Sequence, residues 1–168
     1  WEPSRNGGII CDIGSHQFDQ FLFFTGSTSG DIIASQVRNV RHPEHPRFQD
    51  FGDVLLRGDG GTGYIRLDWF TPAGLPTWGD TRLTILGTDG YIELRKNVDI
   101  AGRDGGNHLF LTDAKSVRYI DCDTMALPFG RQLVDDVLHR TESAMPQAHC
   151  FLAMELALEA QQRAQVVP

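Results

Sequence analysis

Asp12, His16 and Asp19 stand in the spacing D-x-x-x-H-x-x-D. On a helix, at roughly 100° per residue, they fall within a sector of about 60°. An imidazole flanked by two carboxylates is equipped to move a proton. A carboxylate beside the ring sets its tautomer and raises its pKa towards neutrality. The same three side chains offer metal-ligand types, but no fourth ligand accompanies them and the cluster is looser than usual zinc spacing. A third reading is structural: an acid near a helix N-terminus, a satisfied histidine and a solvated aspartate.

Positioning these groups falls to the elements around them. Gly7-Gly8-Ile9-Ile10-Cys11 is apolar and β-branched and reads as a short buried strand. A helix is expected to follow and to stop at Gly26. Phe18, Phe21, Leu22 and Phe24 lie off the polar face and are expected to pack. Residues 1–8 read as a loop, and Ile32 to Val40 as a strand running into an irregular stretch, His42-Pro43-Glu44-His45-Pro46. The two histidines of that stretch suit a loop lining a cleft, a solvated loop or a metal site.

The middle of the chain reads as β. Tyr64 to Phe70 alternates, with Ile65, Leu67 and Trp69 on one face and Tyr64, Arg66, Asp68 and Phe70 on the other. Trp69 is expected in the core. Trp78 falls in a Pro/Gly loop, TPAGLPTWG, where a large aromatic can cover a sugar-like substrate or simply pack. Arg82 to Leu86 and Tyr91 to Arg95 flank an Asp-Gly hairpin signal, and a further pair follows at Leu109 to Leu111 and Val117 to Ile120. The last third is helical: Phe129 to Arg140, then a helix restarting at Pro146 with a stripe of Leu152, Leu156, Ala160 and Ala164. The class is α+β, an open-faced, mostly antiparallel sheet with helices on one face. Tyr64, Phe70, Leu86 and Tyr91 are then expected on the uncovered face, as a patch for a second copy of the chain.

Composition removes several function classes. The 168 residues carry a net charge of −7, with no basic stripe to neutralise phosphates, so no nucleic-acid partner is expected. No run of about 18 apolar residues is present, so no membrane span is expected. Cys11, Cys122 and Cys150 show no C-x-x-C spacing and read as reduced, mostly buried thiols of a cytoplasmic protein. Cys11, set among apolar residues, reads as an inert thiol. Gly58-Asp59-Gly60-Gly61-Thr62-Gly63 satisfies G-x-G-x-x-G, but a strand follows where a dinucleotide loop needs a helix, so a hairpin turn is expected. No serine-hydrolase elbow is present. The chain opens on Trp1 rather than Met, and is read as part of a longer protein.

Gly7 to Asp19 resembles the GG-x-x-x-D-x-G-x-H-x-x-D signature of the glucose–fructose oxidoreductase / inositol dehydrogenase (Gfo/Idh/MocA) family. Gly87-Thr88-Asp89-Gly90-Tyr91-Ile92-Glu93 is similar to its GT-x-G-x-I-E hairpin, and the closing helices are similar too. The resemblance implies a C-terminal domain of the glyceraldehyde-3-phosphate dehydrogenase type. Residues 1–168 would be one substrate-binding and oligomerisation domain. A Rossmann domain absent from this chain would bind NAD or NADP. The implied catalytic residues are His16, as acid/base toward a substrate hydroxyl, and Asp12, orienting substrate or histidine. Arg5 and Asn6 are implied as substrate contacts, with Trp78 from the loop reading. A lysine from a Glu-Lys-Pro motif, which the family also uses, has no counterpart here. The expected function is therefore the substrate side of an NAD(P)-dependent oxidoreductase for a sugar, polyol or related hydroxy compound. The fragment alone is expected to be inactive, to form a homo-oligomer and to hold no metal. Two other functions stay open: a dimeric module binding a small ligand or a protein, and a metal-dependent hydrolase using Asp12, His16 and Asp19.

Overall fold

The paired glycines open no strand. The structure, a computed structural model, describes residues 2–167; Trp1, at the head of the expected opening loop, lies outside them. Within that stretch Pro3–Asn6 forms one helical turn, α1, in place of a loop. Gly7 and Gly8 follow with φ of 81° and 84°, which no strand residue adopts. The chain then enters a second single turn, α2 (Ile9–Asp12), and a longer helix, α3 (Ser15–Thr25), closed by a left-handed Gly26. Ile9 and Ile10 are buried as expected, but from a helix.

Residues 2–70 together with 128–167 form one compact unit, and residues 71–127 form another. In the first, β1 (Gly30–Arg38), β2 (Phe51–Gly58) and β3 (Thr62–Asp68) pair antiparallel, and a short β8 (Gln165–Val166) adds parallel to β1. The order is β3-β2-β1-β8. The sheet's inner face supplies Ile32, Val37, Val54, Leu56, Ile65 and Leu67 to a core completed by Phe18, Phe21 and Leu22 of α3. The final helix, α5 (Gln147–Arg163), closes that core with Ala153, Leu156, Ala157 and Ala160. Three of those four are alanines, which let α5 lie close against β1. The expected Leu152 and Ala164 pack at its edge. Trp69 departs from expectation: it falls one residue beyond β3 and is 45% exposed.

In β1 the alternation breaks. A bulge between Ile32 and Ala34 leaves Ile33 unpaired, so burial passes from Ile32 to Ser35 and Val37. Ser35 therefore faces inward. Its hydroxyl donates to the Ala160 carbonyl at 2.7 Å. That carbonyl needs an outside donor, because the Ala164 N–H bonds to Gln161 instead.

The second unit is a four-stranded antiparallel meander: β4 (Arg82–Leu86), β5 (Gly90–Arg95), β6 (His108–Asp113) and β7 (Val117–Asp121). Cross-strand rows Leu83–Leu94–Leu109 and Ile85–Ile92–Leu111 give it one aliphatic face, half-buried throughout. His108 is buried on the other face, donating from Nε2 to the Gly105 carbonyl (3.0 Å) and meeting the Tyr119 hydroxyl at Nδ1 (2.8 Å). The fold class is α+β and mostly antiparallel, as expected, with two sheets in place of one. The expected single patch accordingly divides: Tyr64 and the half-buried Phe70 belong to the first unit, Leu86 and Tyr91 to the second.

Helix α4 (Phe129–His139) precedes α5 and buries only Asp136. That carboxylate ties the α4–α5 turn, accepting from the Thr141 hydroxyl (2.6 Å) and the Ser143 and Ala144 N–H groups (2.8 Å each). These hydrogen bonds, Thr141 foremost, hold it far below the usual carboxylate range.

Candidate functional site

Asp12 is the last residue of α2, and His16 sits in the first turn of α3. They do not ride successive turns of one helix, as their spacing suggests. The His16 N–H reaches back to Ile13 at 3.4 Å. The break is built around Gly14: a Cβ there would lie 2.2 Å from the Ile10 carbonyl oxygen and 3.0 Å from Leu67. Both Asp12 and His16 are exposed, and no hydrogen bond joins them among the described residues. Asp19, the third member of the pattern, pairs with His149 of α5, Nε2 to Oδ1 at 2.6 Å. It clasps two helices rather than serving His16. Among the described residues no three His, Cys, Asp or Glu side chains are grouped to hold a metal ion.

Asp12 lines a small pocket of about 90 Å³ with Asn6, Gln49, Phe48 and Trp69, floored by Gly8 and Ile9. Of the residues expected to bind substrate, Asn6 is here. Arg5, on α1, is exposed and does not line the pocket, and Trp78 is 77% exposed on a loop of the second unit.

Helix α2 is only one turn long, so nearly all its N–H groups need outside acceptors. Three side-chain amides supply acceptors to its first two N–H groups and to Gly8 just before it. Gly8 N–H donates to Asn6 Oδ1 (2.9 Å), Ile9 N–H to Gln49 Oε1 (3.1 Å) and Ile10 N–H to Gln161 Oε1 (3.1 Å). Gln161 then donates from Nε2 to Gln49 Oε1 at 3.1 Å. Gly8 makes room for this: a Cβ would lie 2.5 Å from Gln161 and 2.6 Å from Gln49.

Gln49 and Trp69 are placed by Asp50, which is fully buried. Its N–H donates to the Arg38 carbonyl (3.1 Å) and its carbonyl accepts from Trp69 N–H (2.9 Å). Its carboxylate accepts from the N–H groups of Val40 (2.7 Å) and Arg41 (2.8 Å) and meets His42 Nδ1 at 3.0 Å. The His-Pro loop is thus folded back upon Asp50, with Asn39 Nδ2 donating to the His42 and His45 carbonyls (2.9 and 2.8 Å). Burial pushes the Asp50 carboxyl up; the Val40 and Arg41 N–H groups and His42 outweigh it, leaving the group below its ordinary value.

A carboxyl depressed by folding stabilises the fold above its unfolded value near 3.9 and loses that contribution as pH falls through the folded value. Asp50 and Asp136 both act in this direction. The thermal midpoint is therefore expected to hold above about pH 4 and to fall steadily below it. Asp50→Asn should cost about 1–3 kcal/mol at neutral pH, because its NH2 group cannot accept from the loop. The same substitution should make the acid fall shallower, which thermal scans across pH read directly.

The cysteines are each half-buried and unbridged. Cys11 lies in α2 rather than a strand, and burial pushes its thiol pKa up, away from nucleophile chemistry. The G-x-G-x-x-G run forms the turn between β2 and β3, where Asp59 accepts from the Thr28 N–H (2.8 Å) and hydroxyl (3.0 Å). It opens no helix and does not fit a pyrophosphate. No helix among the described residues is long and apolar enough to cross a membrane.

Gln49, Asp50 and Gln161 belong to no motif of the sequence. The one signal was a polar pair between aromatic residues, Phe48-Gln49-Asp50-Phe51.

A sequence profile of the GFO/IDH/MocA C-terminal domain matches residues 1–93. No curated protein matches the chain. Among solved structures, a protein from Erwinia carotovora atroseptica designated an oxidoreductase is 48% identical, superposes with a TM-score of 0.96 and covers 99% of this chain. A 3-ketoreductase from Actinomadura kijaniata, crystallised with TDP-benzene and NADP, is 14% identical over 96% of the chain, with a TM-score of 0.63. The aldose-aldose oxidoreductase of Caulobacter crescentus, crystallised with glycerol, is 18% identical over 94% of the chain, with a TM-score of 0.68. The chain spans about half of each: 50%, 48% and 45% respectively.

Proposed function

Because this chain belongs to the GFO/IDH/MocA C-terminal domain family, we propose that it is the substrate-binding half of an NAD(P)-dependent oxidoreductase acting on a sugar, polyol or related hydroxy compound. The observation that carries this reading is the pocket at the family signature, where Asp12 shares a wall with two amides and Trp69. Carboxylate, amide and aromatic groups together suit a polyhydroxy ligand, which offers donors, acceptors and an apolar ring face. The aldose and NADP in the names of the similar proteins support the same class.

In this reading His16 takes the proton of the reacting hydroxyl and Asp12 accepts a hydrogen bond from the substrate and orients it. Arg5 is proposed as a further substrate contact, and Trp78, on its own loop of the second unit, as an aromatic that can cover a sugar-like ligand. The nicotinamide supplies the hydride-accepting carbon when bound; its nucleotide would be held by another part of the parent protein. His16 is exposed and lies outside the lining of that pocket, so in this reading the reacting hydroxyl extends beyond it. The half-buried aliphatic face of the second sheet supports a homo-oligomer, and a cytoplasmic location fits the unbridged cysteines.

The parent open reading frame tests the reading first. A strand–glycine loop–helix pattern and a Glu-Lys-Pro upstream are expected, together with reduction of NAD+ or NADP+ by myo-inositol or an aldose. A pure parent protein that reduces neither cofactor with any polyol or aldose overturns it. A bound small ligand without turnover would favour the non-catalytic module.

A further inference from the structure

The orientation of two pocket amides is dictated by backbone, and this assigns them a task. A peptide N–H can only donate. The atom that Asn6 turns to Gly8 N–H, and the atom that Gln49 turns to Ile9 N–H, must therefore be oxygen. For Gln49 the choice is doubly fixed, because Gln161 is itself turned by Ile10 N–H and brings its NH2 group to the same Gln49 oxygen. Both lone pairs of Gln49 Oε1 are thus used within the protein. Its NH2 group has no partner among the described residues, and Gln49 lines the pocket beside Asp12 and Asn6. Asn6 is in the same state: its oxygen is taken, its NH2 group has no partner among the described residues, and the residue lines the pocket. Two of the lining residues thus have an amide donor to spare, beside the carboxylate of Asp12.

We infer that Gln49 is a ligand-binding residue, donating with Asn6 to oxygens of a compound whose neighbouring hydroxyl donates to Asp12, and that Gln161 is the positioning residue that fixes the Gln49 amide. The inference rests on the oxidoreductase reading for the identity of the reaction and deepens it: the ligand must offer several oxygens close together, as a polyol or sugar does and a monohydroxy compound does not. A purely structural role for Gln49 would need only its oxygen.

Gln49→Glu separates the two roles. Glutamate keeps an oxygen for Ile9 N–H and for the Gln161 NH2 group, and replaces the pocket donor with an acceptor. In the parent enzyme, with myo-inositol and D-glucose as probes, KM is expected to rise about 10- to 100-fold, the equivalent of losing one or two hydrogen bonds in a closed site. The kcat should change far less, and the thermal midpoint should hold. Gln161→Glu keeps the oxygen for Ile10 N–H but sets a second oxygen against Gln49 Oε1 in place of the donor that fixes it, and should raise KM by a smaller factor. A folded Q49E whose KM matches that of the unmodified enzyme overturns the inference while leaving the oxidoreductase reading intact. Should Q49E lower the thermal midpoint, the side-chain amide signal of Gln49 in the unmodified protein decides, followed by NMR through a myo-inositol titration. A shift on saturation supports the assignment, and an unmoved signal overturns it. If the unmodified enzyme turns over neither probe, other polyols and aldoses replace them; if it turns over none, the polyol reading fails and this inference fails with it.

Discussion

His16→Ala in the parent oxidoreductase is expected to lower kcat by about 10²- to 10⁴-fold, the usual contribution of a positioned acid/base. Cofactor affinity should be unchanged, since nothing in this chain's glycine-rich turn addresses a nucleotide. Stability should be unchanged as well, because His16 is exposed and makes no hydrogen bond through its side chain among the described residues. The deficit should shrink as pH rises, when hydroxide can take the substrate proton in place of the imidazole. Turnover, cofactor titration and a thermal scan on one preparation read all three. A folded variant with undiminished kcat would remove His16 from the chemistry and leave Asp12 as the sole group of the pair to consider.

The second large effect is expected at a residue without a side chain. Gly8→Ala should destabilise the protein by about 3–5 kcal/mol. Its φ of 84° and ψ of 166° lie where only glycine is at ease, which accounts for about 1–3 kcal/mol. The remainder comes from the new methyl, which would sit 2.5 Å from Gln161 and force it and Gln49 off the Ile9 and Ile10 N–H groups. Each buried N–H left alone costs about 1–3 kcal/mol. Against a typical total of about 5–15 kcal/mol this is a severe loss. Urea unfolding measures it, with Gly74→Ala as the comparison, since a Cβ at Gly74 meets nothing within 4 Å. Equal midpoints for the two variants would dismiss the amide cluster as a source of stability.

That cluster also explains what the sequence hid. The α+β class, the β2–β3 and β4–β5 hairpins and the C-terminal helices follow from local signals: alternation, Asp-Gly turns and a small-residue stripe. Residues 7–11 carry a local signal of the wrong kind. Two β-branched residues after two glycines resemble a buried strand, and the burial is right, but two positive φ angles turn the chain and begin a one-turn helix. So short a helix cannot stand on propensity, and is held by Gln49 and Gln161, which no pattern near residue 9 announces. Asp12, His16 and Asp19 suffered from the opposite assumption, of one unbroken helix. The break falls at Gly14, where the Ile10 carbonyl from four residues back and, through tertiary packing, Leu67 approach too closely for any side chain. The alternation that points Trp69 into the core ends one residue too early, because β3 stops at Asp68.

The Gln161-to-Ile10 hydrogen bond spans 151 residues, and that separation sets an order of events. A chain leaving the ribosome carries Asn6, Asp12 and Gln49 into solution early, followed by the whole of the second unit, before α5 exists. Until α5 docks, the Ile10 N–H has water in place of Gln161 and the Gln49 amide is free to turn. Closing so long a loop is slow relative to forming either hairpin. The β1–β2–β3 pairings and the second sheet need only partners nearer in the chain, whereas the ligand wall and the β8 edge are completed only when the C-terminal segment docks.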